Sequence, residues 1–304
     1  MNFTRTLLLG TLLVGSQPVL ANISIVFDYS YDSSGYFTGA NSSRQSLLDS
    51  AASVFETRLG DTLSAISSSG SNHFDVDFFN PSSNSSSTIN NYSVAENQIV
   101  VFVGAYNLGA GTLGQGGSGG FNVGGSTAFI DNAVSRGEPG ALGAPSGQTD
   151  FGLWGGSIAF NSSTNFYFDT DLTTDADISG FDFYSVAVHE LGHVLGFSIA
   201  DSFYNQINTN GAFAGSAVTA LTGASQNVTA DGHWIDGLSF NGQEAAMTPS
   251  IAADRRKHFT ELDFAALKDT GWEVSPVPEA ETWGMMLAGL GLLGWRMRAR
   301  VRQA

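Results

Sequence analysis

The sequence predicts an α+β fold, a twisted mixed sheet carrying two helices, followed by an irregular C-terminal part that closes on a last helix. Three observations point there. Short strand-like runs alternate with two stretches of helical spacing up to about residue 197. Gly-rich and Ser/Asn-rich stretches punctuate them. After residue 197 a long segment reads as irregular.

Taken in order, residues 23–29 alternate apolar and polar side chains as a strand does. Residues 44–59 place Leu47, Leu48, Ala51, Ala52, Phe55 and Leu59 at helical spacing. Residues 74–79 and 99–103 read as strands, and 157–160 as a short one. Residues 182–197 form the second helix, with Phe183, Val186, Ala187, Leu191 and Val194 on one broad face. Residues 259–271 form the last helix. Residues 82–87 read as a surface loop. Residues 104–125 contain ten glycines and are expected to be irregular. Within them Gly109-x-Gly111-x-x-Gly114 spells a dinucleotide fingerprint. More Gly and Ser follow where that fingerprint needs a helix N-terminus, so a glycine-rich cleft rim is the better reading.

Composition removes several function classes. The 304-residue chain has no cysteine, which excludes disulfides, thiolate metal sites and cysteine catalysis. Its net charge is −16 and its only lysines are Lys257 and Lys268, which argues against binding nucleic acid through phosphates. Hydrophobic residues make up 42%, enough for a real core.

Both ends read as processing segments. Residues 1–21 have a charged start, an apolar middle and the exit Val19-Leu20-Ala21, the pattern of a secretory signal peptide. The body then spans 22–275, divided at Gly196 into an N-terminal subdomain (22–196) and a C-terminal one (197–275). This body holds 26 acidic and seven basic residues. At 276–304, Val277-Pro278-Glu279-Ala280 precedes an uncharged apolar run at 283–295, then Arg296, Arg298, Arg300 and Arg302. As a helix that run reaches about 20 Å, short of a hydrocarbon core of about 30 Å, and its flanking Trp and Arg suit a membrane interface. The tail resembles the PEP-CTERM sorting signal of Gram-negative bacteria, with Ala280 in place of the second proline. The resemblance implies export, exosortase-like sorting machinery as a partner, transient inner-membrane anchoring, and release or attachment at the cell surface.

The sharpest internal feature is His189-Glu190-Leu191-Gly192-His193. Residues four apart on a helix differ by about 40° and one turn, so both imidazoles project from one face and can share an ion. Zinc suits nitrogen ligands and tetrahedral geometry. Glu190 beside them can accept the proton of a water and return it to a leaving amine. A third ligand is needed, and His233, Asp201 and His258 compete. Asp231-Gly232 is a turn that can present His233, whereas His258 follows the basic Arg255, Arg256 and Lys257. The acidic run Asp169, Asp171, Asp175 and Asp177 makes calcium a second possible cofactor. It lacks the glycine and closing glutamate of a calcium hand, so a solvated loop is preferred. Asp263 in the last helix reads either as a support for a ligand histidine or as a surface carboxylate.

His189-Glu190-x-x-His193-x-x-Gly196 resembles the metzincin proteases. In the common metzincin register the third ligand would fall at Ile199, which cannot bind metal. The distant His233-Trp234, the Glu244–Thr248 segment containing Met247, and the closing Asp269-Thr270-Gly271-Trp272 instead resemble the leishmanolysin-type branch. That resemblance implies a metzincin-like zincin. Its ligands would be His189, His193 and His233, its base Glu190, and its Met-turn residue Met247. The expected function is a secreted zinc endopeptidase acting on peptide or protein substrates. The alternative is a surface or matrix protein in which zinc is a structural clamp.

Overall fold

The computed structural model describes residues 23–276. The order is β1 (Ser24–Asp28), α1 (Ser43–Glu56), β2 (His73–Phe79), β3 (Ser86–Ile89), β4 (Gln98–Tyr106), β5 (Gly114–Ser118), β6 (Gly120–Gly124), α2 (Thr127–Ser135), β7 (Gly155–Asn161) and α3 (Phe183–Val194). The C-terminal part adds α4 (Asp201–Tyr204), α5 (Ser216–Thr222), several two-residue strand pairs and α6 (Glu261–Thr270). The fold is mixed α and β.

β4 organises the body. It lies second in a four-stranded sheet of order β1-β4-β7-β5, parallel to β1 and β7, while β5 runs antiparallel to β7 at the edge. Successive side chains of a strand face opposite ways, so β4 feeds two cores. Ile99, Val101 and Val103 join α1 and α3 on one face. Val100 and Phe102 join Phe74, Val76, Phe78 and Trp154 on the other. The second core is covered by a smaller antiparallel sheet, β3-β2-β6. The layers are therefore helices, four strands, then three strands with α2.

The glycine-rich stretch 104–125 is a correction to the sequence reading: much of it is strand. β5 and β6 are consecutive, and Gly119 between them moves the chain from the large sheet to the small one. Trp154 Nε1 donates to Gly119 O (3.1 Å) and Gly120 O (3.2 Å) at the changeover, and a Cβ on Gly119 would collide with the indole. Three helices rather than two accompany the sheets, because α2 was not anticipated. Ser126 caps it by accepting Phe129 N, and only Ala133 and Ser135 in it are buried. Residues 82–87 are partly strand, since β3 begins at Ser86. The part after Gly196 is less irregular than expected, holding α4 and α5.

Arg136 follows α2 and is fully buried. It donates to the carbonyls of Ser64, Ala95, Gln98 and Leu153 at 2.8–2.9 Å, tying the loops around β4 and β7 together. The end of the body is closed by a bridge from Leu59 to Val274, and Arg58 Nε donates to Ser275 O (2.7 Å). The leader at 1–21 and the apolar run at 283–295 lie outside the described residues. Among the described residues no helix is long and apolar enough to cross a membrane.

Candidate metal centre

All twelve residues of α3 are buried, and both of its ends are fixed by local chemistry. At the start, Asp182 Oδ2 accepts Ser185 N (3.1 Å) and Ser185 Oγ (2.7 Å), a helix cap. The same carboxylate pairs with the buried Arg256 (Nε–Oδ2 3.0 Å). At the finish, Phe197 N donates to Gly192 O and Gly196 N to His193 O, both at 3.0 Å, with Gly196 at φ +100°. This is a Schellman turn, which needs a residue tolerant of positive φ.

That turn folds the chain back over the helix. Phe197 O accepts His193 Nδ1–H (3.0 Å), with Ser198 Oγ 2.9 Å from the same nitrogen. Ala246 O accepts His189 Nδ1–H at 2.7 Å. Carbonyl oxygens accept only, so these bonds assign the proton to Nδ1 in both rings and leave a lone pair on each Nε2. These two lone pairs converge on each other and on the His233 ring: Nε2 of His189 and His193 are 3.1 Å apart, His193 and His233 3.0 Å, and His189 and His233 3.3 Å. His233 comes from the turn at Gly232 (φ +89°), and Trp234 N fixes the next residue on Met247 O (3.0 Å). His233 Nδ1 makes no hydrogen bond, though Asp231 Oδ2 lies 3.3 Å away.

Lone pairs facing one another at such distances repel unless a cation stands between them. Ligand bonds of about 2.0–2.1 Å in a tetrahedron space nitrogens about 3.3–3.4 Å apart, so the three imidazoles fit zinc. Among the described residues they form the one group of His, Asp and Glu side chains close enough together to hold a metal ion. Burial, then the neighbouring imidazole of His193, holds His189 well below the ordinary histidine range, and burial with His233 lowers His193 to about 4. Both therefore stand neutral, as ligands must.

Glu190 stays outside the ligand group and faces β5. Its carboxylate lies against the β5 backbone. Burial, only partly opposed by the nearby Gly116 N–H, lifts its carboxyl to about 8. The glycines of β5 are required by this approach. A Cβ on Gly114 would fall 2.6 Å from Glu190 Oε1 and 2.8 Å from Val186 Cγ1, and one on Gly116 would collide with Glu190 O. Asn161 N donates to Leu113 O and Gly119 N to Gly155 O, both 2.9 Å. Main-chain groups alternate along a strand, so those of Gly114 and Gly116 turn away from β7, toward the open edge. That edge borders a cleft of about 1040 Å³ whose walls include the three histidines, Glu190, Val186 and Ile251.

Met247 and Asp263 lie beneath the histidines. Met247 is fully buried and its Sδ packs on Gly192, where any Cβ would meet it at 2.5 Å. Asp263, also fully buried, is a support rather than a surface carboxylate. Its Oδ1 accepts Trp234 Nε1 (2.9 Å) and Met247 N (3.2 Å). Its Oδ2 accepts Ala246 N (3.0 Å), and Thr260 N and Oγ1 (both 2.8 Å). Ala246 holds His189, and Trp234 adjoins His233, so one carboxylate fixes both ligand-bearing segments.

The rival ligands are elsewhere. Asp201 is exposed at the start of α4, Ile199 is an exposed cleft residue, and His258 Nε2 lies 3.2 Å from Asp175 Oδ2. Of the three basic residues before His258, only Arg255 is exposed. Arg256 and Lys257 are buried, Arg256 against Asp169 and Asp182, Lys257 Nζ against Glu244 Oε1 (3.0 Å), Thr248 Oγ1 and Ser250 O. The acidic run does not gather around a cation site. Asp169 and Asp175 are taken up by Arg256 and His258, and Asp171 bonds Thr173. Calcium has no support there. Gly114, Gly116, Ser198 and Lys257 were not anticipated; the glycine-rich stretch was the one visible hint of the first two.

Residues 276–302 match the PEP-CTERM protein-sorting motif. No curated protein and no solved structure matches the chain. The tail is thus a sorting motif, which implies export, handling by exosortase-type machinery, and sorting at the surface or membrane of a Gram-negative bacterium.

Proposed function

We propose that this protein is an exported zinc-dependent endopeptidase of metzincin type, closest in layout to the leishmanolysin-like branch. The observation that carries the reading is the convergence of three imidazole Nε2 atoms within 3.0–3.3 Å, beside a glutamate that is not among them, in an open cleft. A purely structural zinc site has four protein ligands and no neighbouring base.

His189, His193 and His233 would hold the ion, with Met247 as the apolar floor. Bound there, zinc supplies Lewis acidity to a carbonyl and lowers the pKa of water. The chain's own contribution is positional. The open edge of β5 offers main-chain groups of Gly114 and the carbonyl of Gly116 to an extended peptide, strand against strand. Glu190, beside the three imidazoles at the cleft wall, is placed to receive a proton from water and pass it to the leaving amine. The bare Gly114 and Gly116 let the Glu190 carboxylate and Val186 lie directly against β5 at the cleft wall.

The test is casein hydrolysis by the protein and by Glu190→Gln, each with its zinc content. The expected result is one zinc per chain in both and activity in the parent alone, lower in the variant by about 10²–10⁴-fold. Zinc in both with no cleavage of any of several unfolded proteins would leave a structural clamp.

A further inference from the structure

Residues 107–113 form the upper rim of the cleft and lead directly into Gly114. Asn107, Gly109, Ala110, Gly111 and Thr112 are exposed, and Gly109 and Gly111 take φ +85° and +89° with nothing within 4 Å of a Cβ at either. Leu113 packs on the main core at one end of the rim, and Asn107 Oδ1 accepts Gly109 N (2.8 Å). Most of the remaining hold on its shape comes from one buried side chain. Asn161, at the end of β7 and 3% exposed, donates through Nδ2 to Gly109 O (2.8 Å) and Thr112 O (2.7 Å). Its Oδ1 accepts Ser163 N (3.0 Å) and lies 3.4 Å from Leu108 N, while its own N–H donates to Leu113 O (2.9 Å). One residue therefore grips both ends of the rim and pinches it into a closed loop. The opposite wall, around Pro249 and Ser250, is gripped in the same manner by Lys257.

We propose that Asn161 is a substrate-positioning residue: it holds the 107–113 rim in the form that receives the peptide beyond the two residues flanking the scissile bond. The proposal rests on the peptidase reading above. Asn161 touches neither the histidines nor Glu190, so it acts on peptide capture and leaves the reacting groups in place. Its amide cannot be replaced by a carboxylate, which would set negative charge against two carbonyl oxygens.

The experiment compares the parent with Asn161→Ala in zinc content, kcat and KM on an eight-residue quenched peptide. It adds the affinities of acetohydroxamate, which reaches only the metal, and of a tripeptidyl hydroxamate, which extends along the rim. Expected for Asn161→Ala are parental zinc, acetohydroxamate affinity and kcat, with KM and the tripeptidyl hydroxamate Kd raised about tenfold, the scale of one or two lost hydrogen bonds. Amide hydrogen exchange should quicken at 108–113. Unchanged KM and probe affinity overturn the proposal, as does an equal loss of kcat and zinc, which marks a merely structural role. Should Asn161→Ala fail to fold, deletion of the exposed Ala110-Gly111 tip replaces it, with raised KM expected and unchanged KM overturning. A parent that cleaves while the variant behaves identically removes the rim proposal alone. A parent that cleaves nothing and binds both hydroxamates equally removes the peptidase reading, and the proposal falls with it.

Discussion

Replacing Asp263 by asparagine tests the support of the metal centre with almost no change in shape. Asp263 has two oxygens and five hydrogen-bond donors around them. An asparagine has one oxygen. If its oxygen takes the Oδ2 place, the amide nitrogen faces the donors Trp234 Nε1 and Met247 N. If it takes the Oδ1 place, the amide faces Ala246 N and Thr260 N. Either way two buried donors lose their acceptor, at about 1–3 kcal/mol each. Burial raises the carboxyl pKa of Asp263, so relief of that strain on the ionised form offsets part of the loss. A net destabilisation of about 2–4 kcal/mol remains, which for a body of this size lowers Tm by about 5–15 °C. Because Ala246 holds His189 and Trp234 adjoins His233, zinc affinity should fall as well, by about 10–100-fold. Circular-dichroism melts and competition with a chromophoric chelator measure the two. An Asp263→Asn protein with Tm within about 1 °C and zinc affinity within about twofold of the parent would refute the reasoning.

Three further outcomes follow from the same geometry. His233→Ala should lose zinc under mild chelation, whereas Asp201→Ala and His258→Ala should keep it; metal content after dialysis against a chelator distinguishes them. Gly114→Ala should retain zinc but lose most casein hydrolysis, because its Cβ enters the space of Glu190 Oε1 and Val186, and equal activity would mean that β5 yields easily. Burial, then neighbouring carboxylates, raises Glu138 to about 7, and burial raises Asp61 to about 6, against ordinary values of 4.5 and 3.8. The folded chain therefore binds more protons than the unfolded one between these limits, and this part of its stability falls as pH rises from about 4 to 7. Denaturant midpoints should show Glu138→Gln gaining on the parent as pH rises through that window; a constant difference would contradict the assignment.

The legible parts of this chain are those set by local geometry. His189, Glu190 and His193 are readable because helix pitch alone puts ligands four apart on one face. The strand cores at 74–79 and 99–103 and both main helices are readable from apolar spacing. What the sequence hides is long-range. Asp263 is placed in its helix correctly, and Thr260 three residues before it offers a local capping partner, but its other partners lie 16 to 29 residues away. β5 and β6 are hidden for another reason. Glycine has no side chain to alternate, so a strand of Gly114-Gln115-Gly116-Gly117-Ser118 carries no pattern, and only its pairing with β7 and the nearness of α3 define it. The burial of Arg256 and Lys257 is hidden for the first reason, because the fold brings the buried Asp169 and Asp182 and the half-buried Glu244 to them.

The passage of one strand through Gly119 gives the cleft two foundations. The wall bearing His189 and Glu190 belongs to the core beneath α1 and α3, while the facing edge continues into β6, whose Val123 packs on the core around Trp154. The two cores share β4, so the strand passing through Gly119 anchors the cleft edge to both, like a bridge deck resting on unequal piers. Gentle heating that softens the smaller body should let the edge drift before the histidines move, so the ability to seat a peptide would fade while the ion is still firmly held.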